Sequence, residues 1–227
     1  MRRWLFIGML SCLIAMIAVI IGIGEVMTGP ASTAVDSLSS DFPVEPVQIP
    51  LTADSSVHGW LARGARGGGI VLLVHSIRSN RLEMLSRARF LNKQGYGVLL
   101  IDLQAHGETP GKRITFGLRE SEDVEAAVAF LRKTFPSERI AAIGVSLGAA
   151  AIVLAKHALR LDAVVLESLH PTIEEAVENR LRLHLGEYGP VLLPLVLAQL
   201  VFYLDVPIDE LDPITRIGDL NAPLLLI

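Results

Sequence analysis

Gly144-Val145-Ser146-Leu147-Gly148 is the stretch of sequence that decides the fold. It has the form Gly-x-Ser-x-Gly, in which two glycines allow a strand to turn sharply into a helix and leave the serine exposed in a strained turn. The flanking residues fit this geometry, because a β-type run at residues 140–143 precedes the turn and an alanine-rich run at residues 147–155 follows it. The pattern predicts a strand–turn–helix unit with Ser146 as a nucleophile.

Short β-type runs alternate with helical patterns on both sides of this turn, which favours an α/β fold with a mostly parallel sheet and helices on both faces. Four nearly continuous apolar runs are typical of strands that are buried on both faces. They cover residues 70–74, 97–101, 139–145 and 163–166. Residues 44–49 and 57–63 are predicted as an antiparallel pair at the leading edge of the sheet. Three segments have helical periodicity, at residues 82–94, 120–134 and 147–159.

Residues 170–211 break this alternation and are predicted as a helical cap inserted after the sixth strand. A helical pattern at residues 172–185 is followed by an apolar stretch at residues 191–204 that contains Pro194. The apolar stretch is shorter than the roughly 20 residues that cross a bilayer. A lid over the site is therefore the expected role of this segment, in place of a second membrane crossing.

The N-terminus carries a candidate membrane span. From Trp4 to Gly24 the sequence has no charged residue, and about 20 apolar helical residues suffice to cross the hydrocarbon core of a bilayer. Residues 1–27 are therefore predicted as an uncleaved membrane anchor. The Ser-, Thr- and Pro-containing residues 28–43 are predicted as an extended tether, and residues 44–227 as the folded domain.

The charges beside the span predict its orientation. Arg2 and Arg3 are the only positive charges near it, and the next one along the chain is Arg63. The positive-inside rule places the N-terminus in the cytoplasm and the folded domain on the extracytoplasmic side. Two alternatives stay open, namely a signal peptide cleaved after Ala34, with secretion, and a lipoprotein modified at Cys12.

Composition narrows the classes of ligand. The chain has 20 basic and 24 acidic residues with no clustered basic stretch, so no nucleic acid partner is predicted. The histidines and carboxylates lack close metal-ligand spacing, and the glycine-rich residues 64–69 precede a strand instead of joining a strand to a helix. No metal and no cofactor are therefore expected. Cys12 is the single cysteine, which excludes disulfides within the chain.

Acyl transfer requires hydrogen-bond donors for the negative charge that develops on the carbonyl oxygen. The backbone N–H of Leu147, directly after the nucleophile, is the first predicted donor, and the dipole of the following helix supports it. The second donor is expected in the loop after the strand at residues 70–74, where the N–H of Ile77 is the candidate.

Three marks occur in the same order as in the α/β-hydrolase superfamily. They are a strand that ends in His75, the run Asp102-Leu103-Gln104-Ala105-His106-Gly107-Glu108-Thr109 after the next strand, and the turn at Ser146. From residue 44 to residue 227 the chain resembles this superfamily, in particular its membrane-anchored, serine peptidase- and esterase-like branch. The resemblance implies structural roles for Asp102 and His106.

One residue departs from the pattern of that superfamily. Its members usually have His-Gly where this chain has His75-Ser76, and the glycine lets the backbone turn so that the next N–H faces the substrate. A serine at this position is therefore expected to hinder the second oxyanion donor.

The resemblance also implies a catalytic triad in the order serine, acid, histidine. The usual acid follows the seventh strand, which residues 223–227 resemble, and the sequence reaches no further. The triad is therefore expected to be incomplete, in a C-terminally truncated chain that lacks the last strands. Among the residues that are present, Glu167 after the sixth strand is the candidate acid, and His157, His170 and His184 follow the nucleophile.

These features predict a serine hydrolase that acts on a carboxylic ester, a thioester or a small amide through an acyl-enzyme on Ser146. The chain as given is expected to be an inactive fragment. Its expected partners are a small acyl substrate and, through the N-terminal helix, a membrane. The alternative is a non-catalytic, membrane-tethered binding protein that keeps the fold without the chemistry.

Overall fold

The fold is described by a computed structural model that covers residues 2–35 and 42–227. Nine strands are present in these residues. They are β1 (Ala31–Ser32), β2 (Glu45–Pro50), β3 (Ser56–Ala62), β4 (Ile70–Val74), β5 (Gly97–Ile101), β6 (His106–Gly107), β7 (Ile140–Val145), β8 (Ala163–Glu167) and β9 (Leu224–Leu226).

Six α-helices are present in the same residues. They are α1 (Arg2–Thr28), α2 (Leu85–Lys93), α3 (Glu120–Thr134), α4 (Leu147–Val153), α5 (Ile173–Leu185) and α6 (Leu193–Leu204). Short 3-10 helices accompany them at Arg81–Met84, Gly186–Leu192, Ile208–Leu211, Pro213–Thr215 and Ile217–Asp219.

Seven of the strands form one mixed sheet, in the order β2-β3-β5-β4-β7-β8-β9. β3 runs antiparallel to both β2 and β5, and the remaining neighbours are parallel. The predicted antiparallel pair at the leading edge and the mostly parallel sheet are confirmed. The central strands β4 and β5 are buried along their whole length, as their uninterrupted apolar sequences predict.

Helices cover both faces of this sheet. α3 and α4 pack on one face, over a cluster that includes Val124, Leu131 and Ile152. α2 packs on the other face, where Met84 and Ala88 are fully buried. The layers position the loops at the carboxyl ends of the parallel strands, which is where α/β folds bind their ligands.

One helix is shorter than its sequence pattern predicts. α4 ends at Val153, well before residue 159. Beyond it, the backbone N–H groups of Lys156 and His157 donate to one carboxylate oxygen of Glu125 on α3, at 2.7 and 3.1 Å. The chain leaves the helical path because a side chain binds N–H groups that a longer helix would bond internally. Hydrophobic periodicity gives no sign of such a distant acceptor.

α5 and α6 form the segment predicted as a cap. Ile173 and Val177 of α5 meet Val196 and Leu200 of α6 in an apolar cluster separate from the main core. The 3-10 turn between the two helices contains Pro190, which interrupts the helical path. The cap therefore has its own small core.

Two helical stretches are long and apolar enough to span a membrane, Phe6–Thr28 and Ile173–Leu204. The second is not one straight helix, because α5 and α6 are separated by the turn at Gly186–Leu192 and pack against each other. The first is a single helix whose most apolar part is unburied. α1 is therefore compatible with a membrane anchor or a signal sequence.

The last turns of α1 are packed against the folded domain. Ile23 and Met27 contact the apolar cluster of the cap, and Gly24 lies against the side chain of Gln199 on α6. Glu25 forms an ion pair with Arg113, with 2.9 Å between Oε1 and Nη2. The end of α1 is therefore a fixed part of the fold.

Residues 28–35, predicted as the start of an extended tether, also lie against the domain. β1 pairs in parallel with β6, and the N–H of Thr33 donates to the carbonyl oxygen of Gly107 at 2.9 Å. The side chain of Val35 is buried. Polar composition does not reveal such contacts, because they use backbone groups that every residue type carries. Residues 36–41 of the predicted tether lie outside the described residues.

The turn between β7 and α4 leaves no room for a side chain at either of its glycines. A Cβ atom on Gly144 would lie 2.6 Å from the nitrogen of Ala149, and one on Gly148 would lie 2.5 Å from the oxygen of Val74. Between them, Ser146 has a φ of 49° and a ψ of −104°. Residues with a side chain rarely adopt this conformation. The strained turn that the sequence predicts is therefore present.

Replacement of Gly148 by alanine is expected to destabilise the fold, because its Cβ atom would meet a backbone oxygen that cannot move aside. We expect Gly148→Ala to lower the free energy of unfolding by at least about 2 kcal/mol, the range found for overpacked sites. Gly218→Ala is the control, since no heavy atom lies within 4 Å of its Cβ position. Denaturant unfolding of the detergent-solubilised protein, followed by circular dichroism, measures both. Equal midpoints for the two variants would contradict this description of the turn.

Candidate functional site

A cavity of about 850 Å³ lies at the carboxyl ends of β4 and β7. Ser146, Leu147 and Ile77 all line it, so the structure brings the predicted nucleophile and both predicted oxyanion donors to one site. Its other walls come mainly from α1 and from the cap helix α5. Most of the lining residues are apolar, which suits an apolar group of a ligand.

The turn presents Ser146 to this cavity. Its backbone N–H donates to the carbonyl oxygen of Glu167 at 2.8 Å, which fixes the turn to the end of β8. Its hydroxyl has no hydrogen-bond partner among the described residues. Leu147 is the first residue of α4, and N–H groups in the first turn of a helix have no acceptor within that helix. A free hydroxyl and a free N–H therefore lie side by side.

The loop after β4 supplies a second free donor. The N–H of Ser76 donates to the carboxylate of Glu83 at 2.7 Å, and the N–H of Arg78 donates to Nε2 of His106 at 3.0 Å. The N–H of Ile77, between them, has no acceptor in the part of the chain that the structure describes. Two unpaired donors at the edge of a cavity are what a developing oxyanion requires.

Ser76 does not have the conformation that the usual glycine was expected to provide. The left-handed residue of this loop is Arg78, with a φ of 57°, and the φ of Ser76 is not positive. The N–H and the Oγ of Ser76 both donate to Oε2 of Glu83, at 2.7 and 2.9 Å. Serine fits the loop without backbone strain, so the expected hindrance to the second donor is not found.

The buried His75 side chain holds the loop after β4 in place through two hydrogen bonds. Nε2 of His75 accepts the N–H of Leu103 at 3.0 Å, which places the ring proton on Nδ1, and Nδ1 donates to the carbonyl oxygen of Ser76 at 2.7 Å. Burial lowers the pKa of His75 to about 4. The ring is therefore neutral near pH 7.

His106 has the same arrangement one loop further along the edge. Its Nε2 accepts the N–H of Arg78, and its Nδ1 donates to the carbonyl oxygen of Gln104 at 2.9 Å. Burial, assisted by the neighbouring His75, lowers the pKa of His106 to about 4. Both nitrogens of each ring are used within the scaffold, so neither histidine is placed to take a proton from Ser146.

Asp102 fixes the loop that carries His106. Its Oδ1 accepts the N–H of Arg81 at 2.7 Å, and its Oδ2 accepts Nη1 of Arg81 at 2.7 Å and the N–H of Glu108 at 2.9 Å. Arg81 also pairs with the Glu108 carboxylate and stacks over Trp60 at 4.5 Å. Burial raises the pKa of the Asp102 carboxyl, and these bonds oppose that shift. Asp102 and His106 hold loops in place, as the resemblance implies.

Glu167, the candidate acid, lies at the end of β8. Nε of Arg87 donates to its Oε1 at 3.1 Å, and Nη2 of Arg87 donates to its Oε2. This bidentate pair engages both carboxylate oxygens. Glu167 joins Ser146 through its backbone carbonyl, and it is not among the residues that line the cavity. The structure therefore places the candidate acid beside the turn but pairs its side chain with a cation.

The three histidines that follow Ser146 have different surroundings. Nδ1 of His157 lies 2.7 Å from Oε2 of Glu125, in the loop after α4. His170 and His184 line the cavity. All three are described, and none is hydrogen-bonded to Ser146. In the described ranges, no group of three or more His, Cys, Asp or Glu residues could hold a metal ion.

Two contributors to the cavity have no clear signal in the sequence. One is α1, whose last turns form part of the cavity wall. Because α1 is apolar on every side, its hydrophobic pattern does not show which face of the helix contacts the cavity. The other is Arg78, whose Nη1 donates to the carbonyl oxygen of Val26 at 2.6 Å. A cation directly after the candidate donor Ile77 is visible in the sequence, but the helix end that it reaches is not.

Acid is expected to destabilise the protein through His75 and His106. Their pKa values in the folded state, about 4, lie below the value of about 6.5 for unfolded histidine, so the unfolded chain takes up protons first as the pH falls. The stabilisation is complete above pH 6.5 and is lost as the pH falls towards 4, at most by about 3 kcal/mol for each ring. The buried carboxyls Glu120 and Asp123, whose pKa values burial raises, act in the opposite direction.

Nuclear magnetic resonance of ¹⁵N-histidine-labelled protein in detergent measures the protonation of the two histidine rings directly. The ring signals of His75 and His106, assigned by the loss of each signal in its glutamine variant, should keep their neutral, Nδ1-protonated shifts from pH 8 to pH 5. Titration of either ring near pH 6.5 in the folded protein would contradict the proposed hydrogen bonding.

Residues 66–191 match the protein family described as "Serine aminopeptidase, S33". Comparison with curated proteins finds no significant match. Among solved structures, an esterase from Pyrococcus furiosus is 25% identical with a TM-score of 0.66, and the similarity covers 88% of this chain and 76% of that one. A serine hydrolase without a lid from Xanthomonas campestris is 16% identical with a TM-score of 0.50, over 61% of this chain and 66% of that one.

The family match includes β4 and its loop, the turn at Ser146 and the cap helix α5. The two solved structures share the fold, a mostly parallel sheet with helices on both faces. The protein is thus a hydrolase of the α/β type. Since the matched residues make up more than half of its length, the chain belongs to the serine aminopeptidase S33 family of α/β-hydrolases.

Proposed function

We propose that this protein is a serine hydrolase of acyl compounds, carboxylic esters, thioesters or small amides, with Ser146 as its nucleophile. One observation carries the proposal: a strained turn presents the free Ser146 hydroxyl to a mostly apolar cavity, beside the free N–H groups of Leu147 and Ile77. The esterase activity named for the Pyrococcus furiosus protein supports a carboxylic ester as the substrate.

The reaction that suits this geometry has two halves. The Oγ of Ser146 bonds to the carbonyl carbon, its proton passes to a general base, and the N–H groups of Leu147 and Ile77 hold the oxyanion. Collapse of the intermediate expels the alcohol, thiol or amine, which takes up the proton. Water then attacks the acyl-enzyme by the same steps, and the carboxylic acid leaves with Ser146 restored.

Glu167 is the candidate acid of this mechanism. To orient a base, its carboxylate would release one oxygen from Arg87, which binds both in the structure. His170 and His184 are the histidines after Ser146 that share its cavity. A base on either would have to move to reach the Ser146 hydroxyl, which is unbonded in the described fold.

We further propose that α1 stays attached and anchors the protein in a membrane, with the N-terminus in the cytoplasm and the hydrolase domain outside. The exposed, charge-free part of α1 supports a span, and Arg2 and Arg3 support this orientation. The contacts of Ile23 and Met27 with the cap support retention of the helix. Cleavage after Ala34 would remove these contacts and expose the apolar core of the cap to water.

Labelling with a fluorophosphonate probe tests the role of Ser146. The full chain, purified in detergent, should bind the probe covalently, because the probe reacts with an activated serine hydroxyl. Ser146→Ala should abolish the labelling. Ser168→Ala, a change at an exposed serine after β8, is the matched control and should leave the labelling unchanged. Equal labelling of the wild type and of Ser146→Ala would refute the proposal.

A non-catalytic binding protein is the second candidate function. The absence of a hydrogen bond between Ser146 and any of the described histidines favours it, as does the pairing of Glu167 with Arg87. A wild-type protein that melts cooperatively but takes up no fluorophosphonate would support this second candidate.

The fate of α1 can be read from the protein isolated from expressing cells. We expect a membrane-bound protein that resists extraction by carbonate and whose intact mass includes residues 1–34. Protease added to spheroplasts should digest the hydrolase domain if it lies outside. A carbonate-soluble product that begins at Val35 would show instead that α1 is a cleaved signal peptide.

A further inference from the structure

One face of α1 takes part in the cavity that contains Ser146. The residues of α1 that line the cavity are Val19, Gly22, Ile23, Val26 and Met27. Their spacing is i, i+3, i+4, i+7 and i+8, which places them on a single side of the helix. At 1.5 Å per residue, this wall extends for about 12 Å along the helix axis.

Hydrogen bonds hold this wall against the site. Nη1 of Arg78, next to the candidate donor Ile77, donates to the carbonyl oxygens of Val26 and Gly29, at 2.6 and 3.3 Å. The N–H of Ile114 donates to the carbonyl oxygen of Thr28 at 2.7 Å. A cation at the C-terminus of a helix also interacts favourably with the helix dipole. The wall is therefore built into the site.

The cap lies beside α1 and exposes apolar side chains of its own. α6 packs directly against α1. Large apolar side chains on the cap are unusually exposed to solvent, namely Tyr188 (86%), Phe202 (82%), Val191 (76%) and Leu183 (74%). An exposed apolar surface of this kind, next to a helix that is apolar on every side, fits the interface of a bilayer.

Taken together, we propose that the α1 wall, formed by Val19, Gly22, Ile23, Val26 and Met27, is a binding surface for the acyl chain of an amphiphile that enters from the bilayer. The ester group of this amphiphile would lie at Ser146, which lines the same cavity. The proposal rests on the proposed function for the reaction, whereas binding of the chain requires no chemistry.

The glycine in this wall gives the proposal a sharp test. A Cβ atom on Gly22 would have no heavy atom within 4 Å, so a side chain can begin at this cavity-lining position without a backbone clash. Gly8, earlier in the same helix, has the same open surroundings and does not line the cavity. Gly22→Trp should therefore fill part of the chain-binding volume, and Gly8→Trp is its matched control.

The probe is a monoacylglycerol analogue with a diazirine on its acyl chain and a terminal alkyne. It is incorporated into phosphatidylcholine nanodiscs that hold the full-length Ser146→Ala protein, so that hydrolysis cannot consume it. After illumination, mass spectrometry should locate crosslinks on residues 19–27 and on α5. Gly22→Trp should lower crosslinking to α5 by about tenfold, the effect of losing the space of two or more chain carbons. Gly8→Trp should leave it unchanged.

Three results would overturn the inference. They are crosslinks confined to residues 4–18, a yield at α5 that is equal in the two tryptophan variants, and labelling of detergent-free protein from aqueous probe but not from nanodiscs. Crosslinking as expected together with no fluorophosphonate labelling would contradict only the serine chemistry. Fluorophosphonate labelling without these crosslinks would contradict only the acyl-chain surface.

Discussion

The close approach of α4 to β4 is the constraint on which the site depends. Gly148 lies so near the carbonyl oxygens of Val74 and His75 that a Cβ atom would be 2.5 and 2.8 Å from them. This contact fixes the first turn of α4 at the end of the central strands, and it forces Ser146 into its strained conformation between β7 and α4. The same contact sets the positions of the Ser146 hydroxyl and of the Leu147 N–H. A substitution that relaxed the turn would therefore remove the geometry that makes this serine a candidate nucleophile.

Around that turn, buried side chains form the hydrogen bonds to backbone groups that helices and strands form elsewhere. His75 and His106 each accept a backbone N–H with Nε2 and donate to a backbone carbonyl with Nδ1, which satisfies four backbone groups in two loops. A protonated ring could not accept the N–H of Leu103 or of Arg78. The positive charge on the histidine and the hydrogen bonds that hold the loop are therefore incompatible. Burial, the main cause of the lowered pKa values of both rings, acts in the same direction. Both nitrogens of each ring are therefore engaged in the scaffold around Ser146.

The sequence is a good guide to the parts of the fold that depend on local pattern. Buried strands such as β4 and β5, and the turn at Ser146, follow from apolar runs and from glycines that no other residue could replace. The errors have another origin, since each involves a specific hydrogen-bond partner that hydrophobic periodicity and composition do not reveal. Glu125 ends α4 by accepting hydrogen bonds from N–H groups about thirty residues away. β6 pairs with β1, which lies in a segment whose composition predicts a tether. Ser76 fits its loop because Glu83 binds it and because Arg78 takes the left-handed position.

The cavity wall on α1 is the most instructive case, because its sequence could not have shown it. A helix that faces lipid and a helix that faces the apolar core of a cap need the same side chains, so neither periodicity nor hydropathy distinguishes the two surroundings. Two polar contacts from outside the helix distinguish the two surroundings. Arg78 binds carbonyl oxygens at the end of α1, and Arg113 binds Glu25 of α1. Arg78 also follows Ile77, so the same residue that caps α1 fixes the backbone of the candidate oxyanion donor. α1 is therefore a structural part of the site, and its removal would take away the contacts of Ile23 and Met27 with the cap core and the carbonyl oxygens that Arg78 binds.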